Sequence, residues 1–279
     1  MTDTDCVAFL QWALPTLHMR WVGFRKVRRQ VCRRIERRMR TLELSDIEAY
    51  RRCLEAQPSE WRVLDGLCRV TISRFFRDRR VFAHLEAEVL PALAERALSH
   101  GRGALLLWSA GCASGEEPYS LSLLWRLALK AKLPDVSVRI LATDADPALL
   151  ERAKRACYGA GSLRELPQAW RVTAFVEKNG DYCLKREYRE DIAFTCHDVR
   201  APAPEGPFDL VLCRNLAFTY FDLGQQQAVL RHLWEALTPG GALVIGVHET
   251  LPPHSLDLVP WLAKSGTYVK GTRQRDRVA

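Results

Sequence analysis

The apolar residues of the first seventy positions recur at helical spacing. Within the segment 23–40 they return every four positions, at Val27, Val31, Ile35 and Met39. Such a stripe, surrounded by polar residues, is typical of an amphipathic helix. Further helices are predicted over 44–56, with Ser45 as the N-cap, and over 60–68. Residues 1–70 are therefore predicted to form a small helical domain.

Beyond residue 70, short apolar runs alternate with amphipathic stretches. The runs read as strands are 104–108, 138–142, 192–195, 210–213 and 242–247. The stretches read as helices between them are 118–131, 148–156 and 225–237. This alternation favours a parallel sheet covered by helices on both faces. For residues 71–279 we predict an α/β fold with a Rossmann-like, doubly wound, mostly parallel sheet.

One segment, 163–190, interrupts the alternation. It contains two runs, 172–176 and 181–185, on either side of Asn179-Gly180. Asn-Gly between two short runs is a strong signal for a tight β-hairpin. We expect an inserted subdomain here, with a hairpin as its centre.

Charge and cysteine content narrow the function classes. The net charge of +8 comes largely from the segment 20–40, where ten Arg or Lys residues stand against one acid, Glu36. The nine cysteines form no CxxC pair, so neither a zinc site nor a disulfide framework is predicted. The N-terminus lacks the basic start of a secretory signal, and no apolar run approaches the roughly 20 residues that span a bilayer. We therefore expect a cytoplasmic protein.

The strongest local motif is WSAGCASGEEPYS, residues 108–120, which follows a strand and begins a helix. Gly111 and Gly115 lie in the turn, where glycine lets a nucleotide-like ligand approach the backbone closely. The adjacent acids Glu116 and Glu117 would repel a pyrophosphate but not an adenosine with a sulfonium tail. The alternative is a tight turn with a solvated acidic helix start.

Two further strand ends carry polar residues. The strand that begins at Val138 ends at Thr143-Asp144. There the carboxylate of Asp144 could accept hydrogen bonds from both ribose hydroxyls. A helix cap is the alternative role for this residue, and Asp146 is expected to be a cap. Arg214-Asn215 follows the strand 210–213. Three strand ends are thus predicted to line one crevice.

Taken in order, these motifs resemble the CheR family of chemotaxis receptor methyltransferases. The motifs are TISRFFRD, WSAGCASGEEPYS, LATDAD, GPFDLVLCRN, YFD and LTPGGALVIGVHE, between Thr71 and Glu249. The resemblance implies transfer of a methyl group from S-adenosylmethionine to receptor glutamates, giving methyl esters and S-adenosylhomocysteine, without a metal. Two alternatives stay open: an acceptor that is a small-molecule or peptide carboxylate, and a non-catalytic sensor or scaffold that binds S-adenosylmethionine.

The resemblance also implies roles for individual residues. Those implied in cofactor binding are Thr71, Ser73, Arg77, Gly111, Glu117, Asp144, Asp198, Val199, Arg214 and Asn215. Arg77 is expected to steer the acceptor carboxylate, and Tyr220 to lie near the methyl group. The spacing between CRN and YFD is one residue longer here than in the family. A bulge could restore the position of Tyr220 near the methyl group. Otherwise, Phe218 or Thr219 faces the site instead.

The basic segment Arg25 to Arg40 is the expected partner-binding element. Chemoreceptor methylation regions are acidic helical bundles in this family, and a cationic helix would steer association with them. A solvated face, an RNA-binding arm and a membrane-surface helix are the alternatives. We expect no nucleic acid and no membrane insertion, because stacking aromatics are few and the apolar stripe is narrow. The short turn 177–181 predicts that no receptor pentapeptide tether is bound.

Overall fold

A computed structural model describes residues 2–263 and 265–272 and divides the chain into two compact units. The first comprises Met1–Thr71 and Leu216–Gln226, and the second comprises Ile72–Asn215 and Gln227–Ala279. The segment 216–226 is therefore grouped with the N-terminal helices. The alternation of strands and helices does not predict this grouping.

The first unit is built from helices. Their bounds are α1 Asp3–Thr16, α2 Trp21–Phe24, α3 Arg28–Thr41, α4 Ile47–Ala56 and α5 Pro58–Cys68. The single helix predicted over 23–40 is instead divided between α2 and α3. In α3, Val31, Ile35 and Met39 are buried as the apolar stripe requires. The predicted cap Ser45 is wrong, because the carboxylate of Asp46 accepts the bond from the backbone N of Ala49 at 2.8 Å.

The second unit contains a seven-stranded sheet and a smaller three-stranded sheet. The ten strands are β1 Ala104–Ala110, β2 Ser137–Asp144, β3 Cys157–Tyr158, β4 Phe175–Lys178, β5 Asp181–Leu184, β6 Ile192–Cys196, β7 Phe208–Cys213, β8 Leu237–Ile245, β9 Leu258–Pro260 and β10 Thr267–Lys270. The large sheet has the order β6-β2-β1-β7-β8-β10-β9, in which only the pairs of β10 are antiparallel. The predicted doubly wound, mostly parallel fold is confirmed.

Helices flank the strands of the second unit. They are α6 Arg79–His84, α7 Leu90–Ser99, α8 Glu116–Leu124, α9 Pro147–Arg155 and α10 Gln168–Ala174, and the chain continues with α11 Ala217–Tyr220 in the first unit and α12 Leu223–Ala236. Every residue of β7 is buried, as expected for a strand in the middle of a parallel sheet. The edge strand β9 and its neighbour β10 were not predicted, because they are short and lack a regular pattern.

The small sheet has the order β3-β5-β4. Its β4–β5 hairpin turns at Asn179 and Gly180, whose φ angles of 54° and 80° are those of a two-residue hairpin turn. The hairpin is confirmed, but its predicted first arm, 172–176, is partly wrong. Residues 172–174 belong to α10, and the strand begins only at Phe175.

Two cysteine pairs correct the expectation that no disulfides form. Cys6 of α1 is bonded to Cys32 of α3, and Cys157 is bonded to Cys183, its cross-strand partner in the small sheet. The partners lie 26 residues apart in both pairs, so no short sequence motif predicts these bonds. None of the described helices is both long and apolar enough to cross a membrane.

Candidate cofactor-binding site

The sheet order brings the carboxyl ends of five parallel strands side by side. In the order β6, β2, β1, β7, β8, these ends lead to Asp198, Asp144, Gly111, Arg214 and Glu249. Ligands of open α/β sheets bind at this edge, where the chain connections leave a crevice. Four of these five residues were predicted as site residues from the sequence. The arrangement is therefore a candidate ligand site.

The turn after β1 requires both of its glycines. Gly111 has a φ of 81°, and the backbone N atoms of Gly111 and Cys112 each donate to the carbonyl O of Thr143 at 2.8 Å. Gly115 has a φ of 92°, and a Cβ there would lie 2.9 Å from the Cβ of Ala153. A larger residue at Gly115 would be strained and would clash. The turn consequently keeps its backbone close to the edge of β2.

Asp144 joins this turn to the end of β2. Its Oδ2 accepts from the backbone N of Ala113 at 2.9 Å, and its Oδ1 accepts from the backbone N of Asp146 at 2.9 Å. The residue as a whole is half-buried. Each carboxylate oxygen has two lone pairs and can accept a further bond. Asp146 caps α9, as predicted, by accepting from the backbone N of Ala148.

Arg214 connects three parts of the site. Its side chain is only 2% exposed, and Nη1 donates to Oε2 of Glu117 at 2.9 Å. Nη2 donates to Oδ2 of Asp78 at 2.8 Å and to the carbonyl O of Arg77 at 2.7 Å. The hydroxyl of Ser109 donates to the other oxygen of Glu117 at 2.8 Å. The structure thus places Arg214 as an anchor for Glu117, for the backbone of Arg77 and for the carboxylate of Asp78.

Arg77 itself lies in a backbone segment with left-handed residues on both sides. Phe76 and Asp78 have φ angles of 52° and 65°. The Nη1 atom of Arg77 donates to the carbonyl O of Ile72 at 2.6 Å, and the side chain is half-buried. A cation in this position can reach a bound anion without first leaving a carboxylate partner.

Asp198 has a partner that the sequence did not suggest. Arg200 donates to both carboxylate oxygens of Asp198, at 3.0 Å from Nε and 2.7 Å from Nη2. The backbone N of Arg200 donates to the same side chain at 3.0 Å. Val199, next in the chain, is buried. A contact between Asp198 and an adenine amino group stays a prediction.

Two of the predicted residues belong to the helical unit. The Oγ1 of Thr71 lies 3.5 Å from Nη2 of Arg34. Tyr220 packs its ring against Phe24, with a centroid distance of 5.1 Å, and its carbonyl O accepts from the backbone N of Arg20 at 2.8 Å. The residues between CRN and YFD enter the short helix α11, which extends to Tyr220 and in which Phe218 is buried. The catalytic role of Tyr220 stays a prediction, as does cofactor binding by Thr71 and by Ser73, a half-buried residue of the second unit.

Sequence reasoning missed two acids of the site. One is Asp78, the partner of Arg214. The other is Glu249, which is buried and whose Oε2 accepts from the backbone N atoms of Asn215 and Gly246, both at 2.7 Å. This clamp holds Asn215 at a φ of 56°. Both acids stand inside motifs that carried the family resemblance, so the signal was present but had been assigned no role.

The chemistry of these groups suits S-adenosylmethionine. Half-buried carboxylates at Glu117 and Asp144 can accept from an ammonium group and from vicinal hydroxyls, and the glycine turn leaves room for close backbone approach. Burial raises the pKa of the Cys112 thiol well above its usual value, so this neighbour of the turn stays neutral. In the described part of the chain, no group of three His, Cys, Asp or Glu side chains is arranged to hold a metal ion.

Comparison with known proteins agrees with this geometry. The family model "CheR methyltransferase, SAM binding domain" matches residues 71–263, and "CheR methyltransferase, all-alpha domain" matches residues 26–64. The chain is 40% identical over 186 residues to a chemotaxis protein methyltransferase of Listeria monocytogenes, covering 67% of this chain and 68% of that protein. It is 30% identical over 259 residues to chemotaxis protein methyltransferase 2 of Vibrio cholerae, covering 90% and 87%.

A third relative carries a different name. The Pseudomonas aeruginosa protein described as "Probable biofilm formation methyltransferase WspC" is 34% identical over 223 residues, covering 78% of this chain and 50% of that protein. The matches extend over both the helical segment and the strand–helix segment, and the motifs at the strand ends fall inside them. This chain is a methyltransferase enzyme that belongs to the CheR family.

Proposed function

We propose that the enzyme transfers a methyl group from S-adenosylmethionine to glutamate side-chain carboxylates of chemoreceptor proteins. The observation that carries the proposal is Arg77, a cation beside the ligand edge of the sheet with a fixed backbone and no carboxylate partner in the described part of the chain. Such a group suits an anionic acceptor. The names of the Listeria and Vibrio relatives support an acceptor in chemotaxis.

Two carboxylates and the glycine turn would hold the cofactor. Asp144 would accept from the ribose hydroxyls, and Glu117, oriented by Ser109 and Arg214, would accept from the ammonium of the methionine part. When bound, S-adenosylmethionine supplies a methyl group activated by a positively charged sulfur. The product left in the site would be S-adenosylhomocysteine.

The acceptor carboxylate needs to be positioned, but no proton has to be removed from it. A glutamate carboxylate has an unperturbed pKa of about 4.3 and is ionised at neutral pH, so no general base is needed. Arg77 can hold such a carboxylate by charge-assisted hydrogen bonds and orient one oxygen toward the methyl group. Holding two reactants in the reactive geometry can contribute roughly 7–11 kcal/mol to lowering a barrier.

Transfer of a labelled methyl group tests the acceptor. The enzyme is incubated with labelled S-adenosylmethionine and either receptor-containing membranes or a metabolite extract. Base-labile label on receptor glutamates supports the proposal. Label confined to the extract would favour a small-molecule carboxylate, and intact cofactor binding with label in neither fraction would favour a sensor. Either of these two outcomes rejects the proposed acceptor.

The basic helix is the surface that we propose for receptor docking. The structure separates its arginines into two sets. Arg28 pairs with Asp3 at 2.9 Å, Arg38 pairs with Glu60 at 2.7 Å, and Arg34 donates to the carbonyl O atoms of Leu67 and Arg69. The exposed cations are Arg25, Lys26, Arg29, Arg33, Arg37 and Arg40. Arg29, Arg33 and Arg37 recur every four residues and form one continuous cationic stripe, which suits an acidic helix.

Reversing the charge of this stripe is expected to weaken receptor capture. The triple variant Arg29→Glu, Arg33→Glu, Arg37→Glu should raise the KM for receptor about tenfold at low salt and flatten its salt dependence. The control reverses three exposed arginines outside α3, Arg62, Arg164 and Arg231, which changes the net charge equally. Initial rates across a series of salt concentrations measure both effects. Equal losses in the two triple variants would show that net charge, not the stripe, governs capture.

The tight β4–β5 turn predicts that no pentapeptide tether is bound. With only Asn179 and Gly180 at its tip, the hairpin has little room to open around an added strand. Calorimetric titration of the whole enzyme with a receptor C-terminal pentapeptide should give no heat above dilution. A peptide of the same composition in scrambled order is the control. Saturable heat with the native order alone would contradict the prediction.

A further inference from the structure

The backbone around Arg77 adopts a conformation that needs outside support. Phe76 and Asp78 both have positive φ angles, and neither is glycine. Residues with a Cβ rarely occupy the left-handed region, and they remain there only when their surroundings hold them. A tripeptide with two such residues would relax if its anchors were lost. The direction in which Arg77 extends therefore depends on those anchors.

One anchor is the hydroxyl of Ser120. Ser120 is completely buried in α8, and its Oγ donates to the carbonyl O of Glu116 at 2.6 Å. The same oxygen accepts from the backbone N of Phe76 at 2.9 Å. Phe76 is buried too, so leaving its backbone N–H without an acceptor would be costly. The hydroxyl thus fixes the residue before Arg77 to α8.

Ser120 lies in the same helix, α8, as the proposed cofactor-binding residue Glu117. Glu117 and Ser120 are three residues apart and lie on neighbouring positions of one helix surface. Glu117 is the acid expected at the methionine part of the cofactor, whereas Ser120 holds the segment expected to orient the acceptor. A single helical turn would therefore set the distance between the two reacting partners.

We propose that Ser120 is a positioning residue for methyl transfer, acting through Arg77. The inference rests on the proposed role of Arg77 in holding the acceptor carboxylate. Arg214 supports the segment from its other side, through the carbonyl O of Arg77 and the carboxylate of Asp78. Ser120 therefore supports this segment from α8, through the backbone N of Phe76.

A neighbouring serine provides a matched control. Ser122 is also buried in α8, and its hydroxyl donates to the carbonyl O of Tyr188 at 2.9 Å, away from the Arg77 segment. Ser120→Ala should lower kcat about tenfold to 100-fold, since misplacement by about 1 Å can cost that much. The Kd for S-adenosylmethionine should change less than about twofold. Ser122→Ala should lower the thermal midpoint similarly but leave kcat within about twofold. Equal kcat losses in the two variants overturn the proposal.

A double-mutant cycle separates this proposal from the proposed function. If Ser120 acts through Arg77, Ser120→Ala should lower kcat by less than about twofold in an Arg77→Ala background. A full additional loss in that background overturns the role of Ser120 and leaves Arg77 untouched. An Arg77→Ala enzyme with unchanged kcat instead overturns the proposed role of Arg77, and the inference with it.

Hydrogen exchange gives a readout that needs neither cofactor nor acceptor. In the cofactor-free enzyme, peptides that span residues 72–78 should exchange about tenfold faster in Ser120→Ala than in Ser122→Ala, because Phe76 loses its acceptor. Equal exchange in the two variants overturns the proposal even if the acceptor proves not to be a receptor. Faster exchange in Ser120→Ala alone supports it.

Discussion

Asp144→Ala is expected to abolish most S-adenosylmethionine binding and to leave the fold intact. A carboxylate that accepts from both ribose hydroxyls makes two charge-assisted hydrogen bonds, each contributing about 1.5–3 kcal/mol. Loss of about 3 kcal/mol raises the Kd by a factor of roughly 100. Isothermal titration with S-adenosylmethionine measures the change, and circular dichroism confirms that the variant is folded.

Asp146→Ala is the control for Asp144→Ala. Asp146 lies two residues away, and its carboxylate likewise accepts from a backbone N, but it caps α9. Its loss should lower stability by about 1 kcal/mol without weakening cofactor binding. Asp144→Asn keeps one acceptor oxygen for the backbone N atoms of Ala113 and Asp146, and it should bind with intermediate affinity. Unchanged affinity in Asp144→Ala would show that the ribose assignment is wrong.

Arg77→Ala is expected to lower turnover much more than cofactor affinity. If Arg77 holds only the acceptor carboxylate, its removal should reduce kcat by about 100-fold while the Kd for S-adenosylmethionine changes little. Single-turnover methylation of receptor, combined with titration of the cofactor, separates the two quantities. Arg77→Lys keeps the charge but loses the planar fork of donors, so it should recover only part of the rate.

Arg80→Ala removes the same charge from a nearby exposed position and serves as the control. Its rate should match that of the unaltered enzyme, because an exposed arginine of α6 has no assigned contact in the site. Equal losses of kcat and cofactor affinity in Arg77→Ala would instead identify Arg77 as a cofactor-binding residue. In that case the acceptor would need another cation.

The link through Arg214 bears on both predictions. This one buried guanidinium bonds both Glu117, which we propose for cofactor binding, and the backbone of Arg77, which we propose for acceptor binding. Removing a buried charge that serves several partners is costly, because each partner is left unsatisfied. Variants at Arg214 are therefore expected to change both cofactor affinity and turnover, whereas variants at Asp144 and Arg77 separate these two quantities.

The sequence by itself determined the fold class and which strand ends meet at one edge of the sheet. Hydrophobic periodicity is a local property, so the strands β1, β2, β6, β7 and β8 were recognisable from their own residues. Once the strands were known to be parallel, their carboxyl ends had to meet at one edge. Gly111, Asp144 and Arg214 could thus be assigned to one crevice before any coordinates were known.

Only the tertiary structure decided how individual side chains are used. Arg34 and Arg33 are neighbours in one basic run, yet Arg34 donates to backbone carbonyls far along the chain and Arg33 is exposed. Likewise, the YFD segment is grouped with the helical unit, where the backbone N of Arg20 donates to the carbonyl O of Tyr220, far later in the chain. Local patterns contain no information about such partners. The left-handed conformations at Phe76 and Asp78 are of the same kind, because Ser120 and Arg214, which bond to these residues, come from distant parts of the chain.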